Sequence, residues 1–133
     1  MITSVPGASE MFLGAVCSYT EQIKQKILGV KKETLDKFTV YSPQVASEMS
    51  AGALRLFGAD VAIGITGIAG PGGYSEEKPA GTVYVSVRDG EREIVRDLKV
   101  YELCSQPDRE TVRRISSQLA LEMVLELCTA DKR

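Results

Sequence analysis

Runs of hydrophobic residues predict the strands of this protein. Residues 11–19 (M-F-L-G-A-V-C-S-Y) are almost continuously apolar, which is typical of a strand buried in a sheet that is covered on both faces. Residues 60–66 form a second run of this kind. Valines alternate with other residues over 81–87, and the Asp-Gly pair at 89–90 predicts a two-residue hairpin turn. Residues 91–100 are then expected to form the partner strand.

Apolar residues at helical spacing, together with capping residues, predict the helices. Residues 20–28 fit a helix closed by Gly29, because glycine often follows the last helical residue. Residues 31–38 predict a second short helix. A Ser-Pro pair predicts the start of a helix over 42–57, since serine is a favoured N-cap and proline a favoured first residue. A last helix is predicted over 108–128, with an apolar stripe of Val112, Ile115, Leu119, Met123 and Leu127.

The order of these elements predicts an α/β fold. A strand, helices, a strand, a hairpin and a final helix follow one another, which favours a mixed sheet whose antiparallel part is the hairpin. The length of 133 residues suits one domain with one hydrophobic core, and no linker interrupts it. We therefore expect a single domain over residues 1–133.

Charge and hydropathy limit the expected partners. The formal net charge is -2, so charge alone favours neither nucleic acid nor an anionic membrane as a partner. No apolar run reaches the ~18 residues of a membrane span, and the first residues lack the basic start of a signal peptide. We expect a cytoplasmic protein that uses no cofactor and no metal.

Cysteine and histidine usage narrows the chemistry further. Cys17, Cys104 and Cys128 match no metal-ligand spacing, and two of them lie in apolar runs, which predicts buried thiols in a reducing compartment. The chain contains no histidine. Catalysis by a Ser-His-Asp or Cys-His arrangement within one chain is therefore excluded.

A glycine-rich segment follows the second buried strand. Residues 66–73 read T-G-I-A-G-P-G-G, which places backbone N–H groups at the carboxyl end of a strand, where α/β sheets bind ligands. Thr66 adds a hydroxyl. The segment lacks the Gly-Lys-Ser/Thr ending of a P-loop. A flexible loop that merely needs glycine remains an alternative interpretation of the same residues.

Three further side chains are candidates for a site. Tyr19 ends a predicted strand and Lys24 lies in the next helix, where a desolvated lysine acts as a base and a tyrosine donates a proton. Arg109 opens the last helix, and an arginine at a helix N-terminus suits a phosphate. The alternatives are a solvated helix lysine and a solvated basic face in which Arg109 pairs with Glu110. Cys17 is either a nucleophile or, more simply, a core thiol.

These pieces together resemble the CinA C-terminal domain family of bacterial nicotinamide-nucleotide amidohydrolases. The resemblance rests on S-V-P-G-A-S-E-M-F-L-G-A-V-C-S-Y at 4–19, T-G-I-A-G-P-G-G at 66–73 and E-K-P at 77–79. It also rests on G-T-V at 81–83 and D-R-E-T-V-R-R at 108–114. The similarity extends over essentially the whole chain, and it implies a three-layer α/β/α arrangement.

The resemblance also implies an activity. Members hydrolyse the amide of nicotinamide mononucleotide to nicotinic acid mononucleotide and ammonia in pyridine nucleotide recycling, using a serine nucleophile without a metal or cofactor. Tyr19 and Lys24 match the family's catalytic tyrosine and lysine. The positions that match its substrate-binding residues are Thr66, Gly67, Ala69, Gly70 and Arg109.

One part of the family pattern has no counterpart here. The family's serine lies in an E-S-C-T-G-G segment upstream of S-V-P-G, whereas this sequence begins with Met1 just before that motif. We therefore expect the first strand and the nucleophile segment to be absent, which leaves an exposed sheet edge and predicts a homodimer or larger assembly. A non-catalytic nucleotide-binding module and a structural remnant of a competence-associated protein remain alternatives to a hydrolase.

Overall fold

The computed structural model describes residues 1–130, which form three strands and five α-helices after two short 3-10 turns. The turns are Ile2–Ser4 and Ala8–Glu10, and they precede a long extended segment. The helices are α1 (Glu21–Leu28), α2 (Lys32–Phe38), α3 (Pro43–Phe57), α4 (Val100–Leu103) and α5 (Arg109–Thr129). The strands are β1 (Ala62–Gly67), β2 (Val83–Arg88) and β3 (Glu93–Asp97).

The helix boundaries follow the capping residues closely, and the four helices predicted from the sequence are confirmed. The Ser42 hydroxyl accepts a hydrogen bond from the Val45 N–H at the start of α3. Asp108 does the same for the Thr111 N–H at the start of α5. Gly29 ends α1 in the left-handed conformation, with φ 71°, where a side chain would be strained.

The three strands form an antiparallel sheet in the order β1-β2-β3. Ile65 lies opposite Val85, and Val85 lies opposite Arg96. Helix α3 packs on one face of this sheet and α5 on the other. The α/β class and the three-layer arrangement are therefore confirmed, whereas the mixed sheet is wrong, because all strand pairs among the described residues are antiparallel.

Residues 11–19 were predicted to form a strand of the sheet, and this prediction is wrong because the segment pairs with no other strand of the described chain. This segment is extended, and exposure alternates along it, with Phe12, Val16 and Ser18 less exposed than Met11 and Leu13. Within residues 1–130, no backbone–backbone hydrogen bond involves residues 13–19. Side-chain exposure alternates as it does along a strand, but no neighbouring strand in this part of the chain pairs with the segment, which therefore lies outside the sheet.

The hairpin also differs from its prediction. Its strands end at Arg88 and Glu93, so the connection has four residues and not the two predicted at 89–90. Asp89 accepts hydrogen bonds from the N–H groups of Glu91 and Arg92, which hold the pKa of its carboxyl at about 2. Strand β3 is shorter than predicted, because Lys99 adopts a left-handed conformation with φ 43° and ends the extended chain.

The largest core cluster lies between the sheet and α5. Val83, Val85 and Val87 all project from one face of β2, since alternate residues of a strand share a face. Met123 and Leu127 of α5 cover them. Each fully buried side chain of this size contributes roughly 1.5–3 kcal/mol, so this layer is a main source of stability.

The opposite face of the sheet carries a polar cluster beneath α3. The hydroxyls of Ser50 and Ser86 lie 2.6 Å apart. Arg88 donates to Ser50 at 2.9 Å and pairs with Glu93 at 2.6 Å. Because every member has a partner, the cluster fixes α3 on the sheet without leaving a buried charge unpaired.

Candidate functional site

All seven residues expected to form the site line one cavity of about 600 Å³. The cavity is bounded by residues 16–21, the first turns of α1, the end of β1 with the loop that follows it, and the start of α5. The expected residues that line it are Tyr19, Lys24, Thr66, Gly67, Ala69, Gly70 and Arg109. The fold thus brings together residues that lie far apart in the chain, while their roles remain predictions.

Lys24 is the most buried charged side chain of the cavity. It is only 6% exposed, and its ammonium donates a hydrogen bond to the Ser18 carbonyl at 2.5 Å. Burial lowers the pKa of Lys24 from its usual 10.5, while electrostatic interactions with Glu21 and Cys17 oppose that shift. A lowered pKa increases the fraction of neutral amine, which is the form that accepts a proton.

Tyr19 and Arg109 meet across the cavity. The Arg109 guanidinium donates to the Tyr19 hydroxyl at 3.4 Å and to the Gly70 carbonyl at 3.0 Å. Tyr19 is 78% exposed, so the expectation that it ends a buried strand is wrong. It precedes Thr20, the N-cap of α1, where the chain turns into the helix. No ion pair joins Arg109 to Glu110 within the described part of the chain.

The glycine-rich segment is anchored at its start. Thr66 is 5% exposed, and its hydroxyl donates to the Val40 carbonyl at 2.8 Å, so only its acceptor lone pairs remain for a ligand. Gly67 ends β1, and a side chain there would overlap the backbone of Thr82 and Val83. Ile68 exchanges backbone hydrogen bonds with Gly81 and Thr82. This half of the loop is therefore held in place.

Further along the connection between β1 and β2, Lys78 forms hydrogen bonds to the segment between α2 and α3. The Lys78 ammonium donates to the Tyr41 carbonyl at 2.6 Å and to the Thr39 hydroxyl at 3.1 Å. Tyr41 also lines the cavity. The lysine of the E-K-P motif thus positions a wall of the cavity.

Ser18 lines the cavity beside Tyr19, although Ser18 itself was not predicted as part of the site. Ser18 and Tyr19 alternate in exposure, as expected for extended chain, but both line the cavity, and Ser18 is only 7% exposed. Cys17 is exposed, and so is Cys128, while Cys104 is half-buried, so the predicted buried thiols are wrong. Exposure alternates between successive residues of 11–19, and this alternation places Ser18 on the buried side. The almost continuous apolar composition of the segment gave no sign of which residues would be buried.

The charges of the cavity favour an anionic ligand. Lys24 and Arg109 line it with Glu21 as the acidic counterpart. Over residues 1–130, no group of three or more histidine, cysteine, aspartate or glutamate side chains is arranged to hold a metal ion. In the same part of the chain, none of the helices has the length and apolar character needed to cross a membrane.

Comparison with known proteins places the sequence in a defined family. The CinA C-terminal domain model matches residues 1–128. A CinA-like protein of Syntrophomonas wolfei is 41% identical over 93% of this chain and 29% of its own length. A putative competence-damage inducible protein of Moorella thermoacetica is 42% identical over 92% of this chain and 28% of its own length. The chain thus spans less than a third of these relatives.

Solved structures share the fold. The competence/damage inducible protein CihA of Agrobacterium tumefaciens superposes with a TM-score of 0.84 at 33% identity, over 94% of this chain and 74% of that one. A competence-damaged protein (CinA) superfamily member from Escherichia coli gives 0.85 at 30% identity, over 95% of this chain and 70% of that one. The family match, the relatives and the shared fold agree, and this chain belongs to the CinA C-terminal domain family.

Proposed function

We propose that the cavity binds nicotinamide mononucleotide and that the domain serves the hydrolysis of its amide to nicotinic acid mononucleotide and ammonia. The observation that carries this proposal is the buried Lys24 on the same cavity as Arg109, an exposed residue. One cation is desolvated and suited to proton transfer, while the other remains available for a phosphate. A mononucleotide with an uncharged carboxamide at one end and a phosphate at the other fits this polarity.

The proposed roles follow from the position of each group. In a serine-complete version, which carries the E-S-C-T-G-G segment of the family, Lys24 as a neutral amine accepts a proton from the serine hydroxyl that attacks the carboxamide carbon and returns it to the departing ammonia. Water then hydrolyses the resulting ester, which releases nicotinic acid mononucleotide and restores the serine. The Arg109 guanidinium, at the first turn of α5, binds the phosphate, where the helix N-terminus adds favourable charge. Tyr19, within reach of Arg109, orients the nucleotide, and Thr66 with the Gly67, Ala69 and Gly70 backbone contacts its polar groups.

A specific observation also supports a second candidate, a binding module without turnover. Within residues 1–130, the ammonium of Lys24 has one hydrogen-bond partner, a main-chain carbonyl, and no serine or threonine hydroxyl or cysteine thiol accepts from it. A serine nucleophile activated by lysine needs such a contact. The same cavity then binds the nucleotide, and the chemistry requires the E-S-C-T-G-G segment of the family.

Binding and turnover separate the two candidates. Calorimetry measures the affinity for nicotinamide mononucleotide, and ammonia release measures hydrolysis, on this chain and on a serine-complete version that carries the E-S-C-T-G-G segment upstream. Turnover by either form supports the hydrolase. Binding without turnover by both supports the module, and no binding by either contradicts both.

A matched pair of arginine variants tests the phosphate site. Arg109→Ala is expected to weaken nucleotide binding roughly 10-fold or more, because a charge-assisted hydrogen bond to phosphate is lost. Arg113→Ala, one turn further along α5 and exposed, serves as the control. Equal effects of the two variants contradict a specific role for Arg109.

A further inference from the structure

Ser18 carries an unusual hydroxyl. It is 7% exposed, lines the cavity, and among residues 1–130 it holds the one buried side-chain nitrogen or oxygen without a hydrogen-bond partner. Leaving a buried hydroxyl unpaired destabilises a fold, and native proteins contain few such groups. An exception of this kind at the wall of a cavity requires a physical reason.

The other buried hydroxyls of the described chain show that the fold otherwise satisfies such groups. Each makes at least one hydrogen bond to a carbonyl or to another side chain. They belong to Ser42, Ser50, Thr66, Thr82, Ser86 and Ser116. Ser18 is the exception, and of these residues only Ser18 and Thr66 line the cavity.

The main chain of Ser18 is fixed by the candidate base. Its carbonyl accepts a hydrogen bond from the Lys24 ammonium at 2.5 Å, and both residues line the cavity. A ligand group that contacts the Lys24 amine therefore lies next to residue 18. In the proposed function that group is the carboxamide, which offers a donor and an acceptor to a hydroxyl that can both donate and accept.

We propose that the Ser18 hydroxyl contacts the carboxamide of the bound nucleotide and selects ligands that carry this group. The inference rests on the proposed function and adds a specificity residue to its site. A site with a buried hydroxyl left unpaired by the wrong ligand discriminates strongly against that ligand. Ribose 5-phosphate has the phosphate and the sugar but no pyridine carboxamide. Its binding affinity is therefore expected not to depend on the Ser18 hydroxyl.

The test compares Ser18→Ala with the natural chain in two measurements. Calorimetry is expected to show a roughly 10- to 100-fold loss of affinity for nicotinamide mononucleotide and an unchanged affinity for ribose 5-phosphate. Urea unfolding is expected to show unchanged or increased stability, because the variant removes an unpaired polar group. Ser18→Cys keeps a similar shape with a weaker donor, so its affinity for nicotinamide mononucleotide is expected between those of serine and alanine.

Ser50→Ala is the matched control. It removes a buried serine hydroxyl that has partners in Ser86 and Arg88, so it is expected to lower stability and to leave both affinities unchanged. Equal binding of nicotinamide mononucleotide by Ser18→Ala and the natural chain overturns the inference. Equal loss of both ligands, or a loss of stability like that of Ser50→Ala, also overturns it, because Ser18 is then structural.

The binding results distinguish failure of the Ser18 assignment from failure of the proposed function. If the natural chain does not bind nicotinamide mononucleotide, the proposed function and the Ser18 assignment fail together. If it binds and Ser18→Ala binds equally well, only the Ser18 assignment fails. Selective loss in Ser18→Ala supports the assignment whether or not ammonia is released.

Discussion

The burial of Lys24 has two consequences: it favours the neutral amine, which accepts protons, and it lowers the stability of the fold while the amine is protonated. Its side chain lies in the cavity wall with one carbonyl partner, and burial lowers the pKa of its ammonium. The fold therefore binds this proton less tightly than the unfolded chain does. A group of this kind makes stability rise with pH from its folded pKa up to the unfolded value near 10.5.

Replacement of this lysine tests both consequences. Lys24→Met is expected to reduce ammonia release by the serine-complete version at least ~100-fold, because the proposed general base is lost. In urea unfolding, the stability of the natural chain relative to Lys24→Met is expected to increase as the pH is raised from neutral towards 10.5. Lys26→Met, on the exposed face of α1, is the control and should show neither change. A stability difference that is flat with pH would contradict a lowered pKa.

The candidate site was predictable where residue type and family motif carried the information. Lys24, Thr66 and Arg109 matched the motifs, and the structure places them on one cavity. Ser18 was not predictable as a site residue, because its importance lies in a missing hydrogen bond that only a tertiary structure reveals. The bond between Thr66 and the Val40 carbonyl likewise joins parts of the chain that no local pattern connects.

At the level of elements, two glycines let α3 approach its neighbours closely. A side chain at Gly52 would overlap the carbonyl of Leu28 at the end of α1, and one at Gly64 would overlap the backbone of Ala46 in α3. The partner atoms are backbone, which cannot rotate away as a side chain can. Helices α1 and α3 and strand β1 are thus packed through positions that exclude any Cβ atom.

Gly52→Ala is expected to destabilise the fold. Overpacking of this kind costs roughly 1–3 kcal/mol or more, and here it exceeds the small gain in helix propensity from alanine. Gly90→Ala, in the hairpin connection, has nothing within 4 Å of its added carbon and is the control. Chemical denaturation measures both variants, and equal stability of Gly52→Ala and the natural chain would refute the close packing of α1 on α3.

Elements were predictable when their signals were local. The end of α1 followed from the glycine at 29, and the start of α3 followed from the serine N-cap at 42. The segment over residues 11–19 had the composition of a buried strand, but strand pairing depends on a neighbour at the right distance, which composition does not encode. The four-residue hairpin connection followed from the side-chain bonds of Asp89, which compete with the two-residue turn.

At the scale of the whole molecule, the free edge of β1 and the extended segment 13–19 leave main-chain hydrogen-bonding groups without backbone partners in residues 1–130. Within the described residues, β1 pairs only with β2, and residues 13–19 make no backbone–backbone hydrogen bond. Exposed apolar side chains accompany them, including Leu13 at 62% exposure. Exposed edges of this kind pair with other chains.

We therefore expect a homodimer or larger assembly that covers this side. Light scattering at micromolar concentration is expected to give at least twice the monomer mass, and Leu13→Lys should shift the population towards monomer. Leu125→Lys changes an equally exposed leucine on α5 and is the control. A clean monomer of the natural chain would sink this expectation.

The cavity draws its walls from distant stretches of chain, including those around Tyr19, Tyr41, Gly70 and Arg109. A bound nucleotide would join these stretches like a removable cross-link that exists only in the folded state. By mass action, each tenfold rise of ligand above its dissociation constant adds about 1.4 kcal/mol to the free energy of unfolding. Nucleotide supply would thereby set how long each copy of the protein survives proteolysis, in addition to any chemistry at the site.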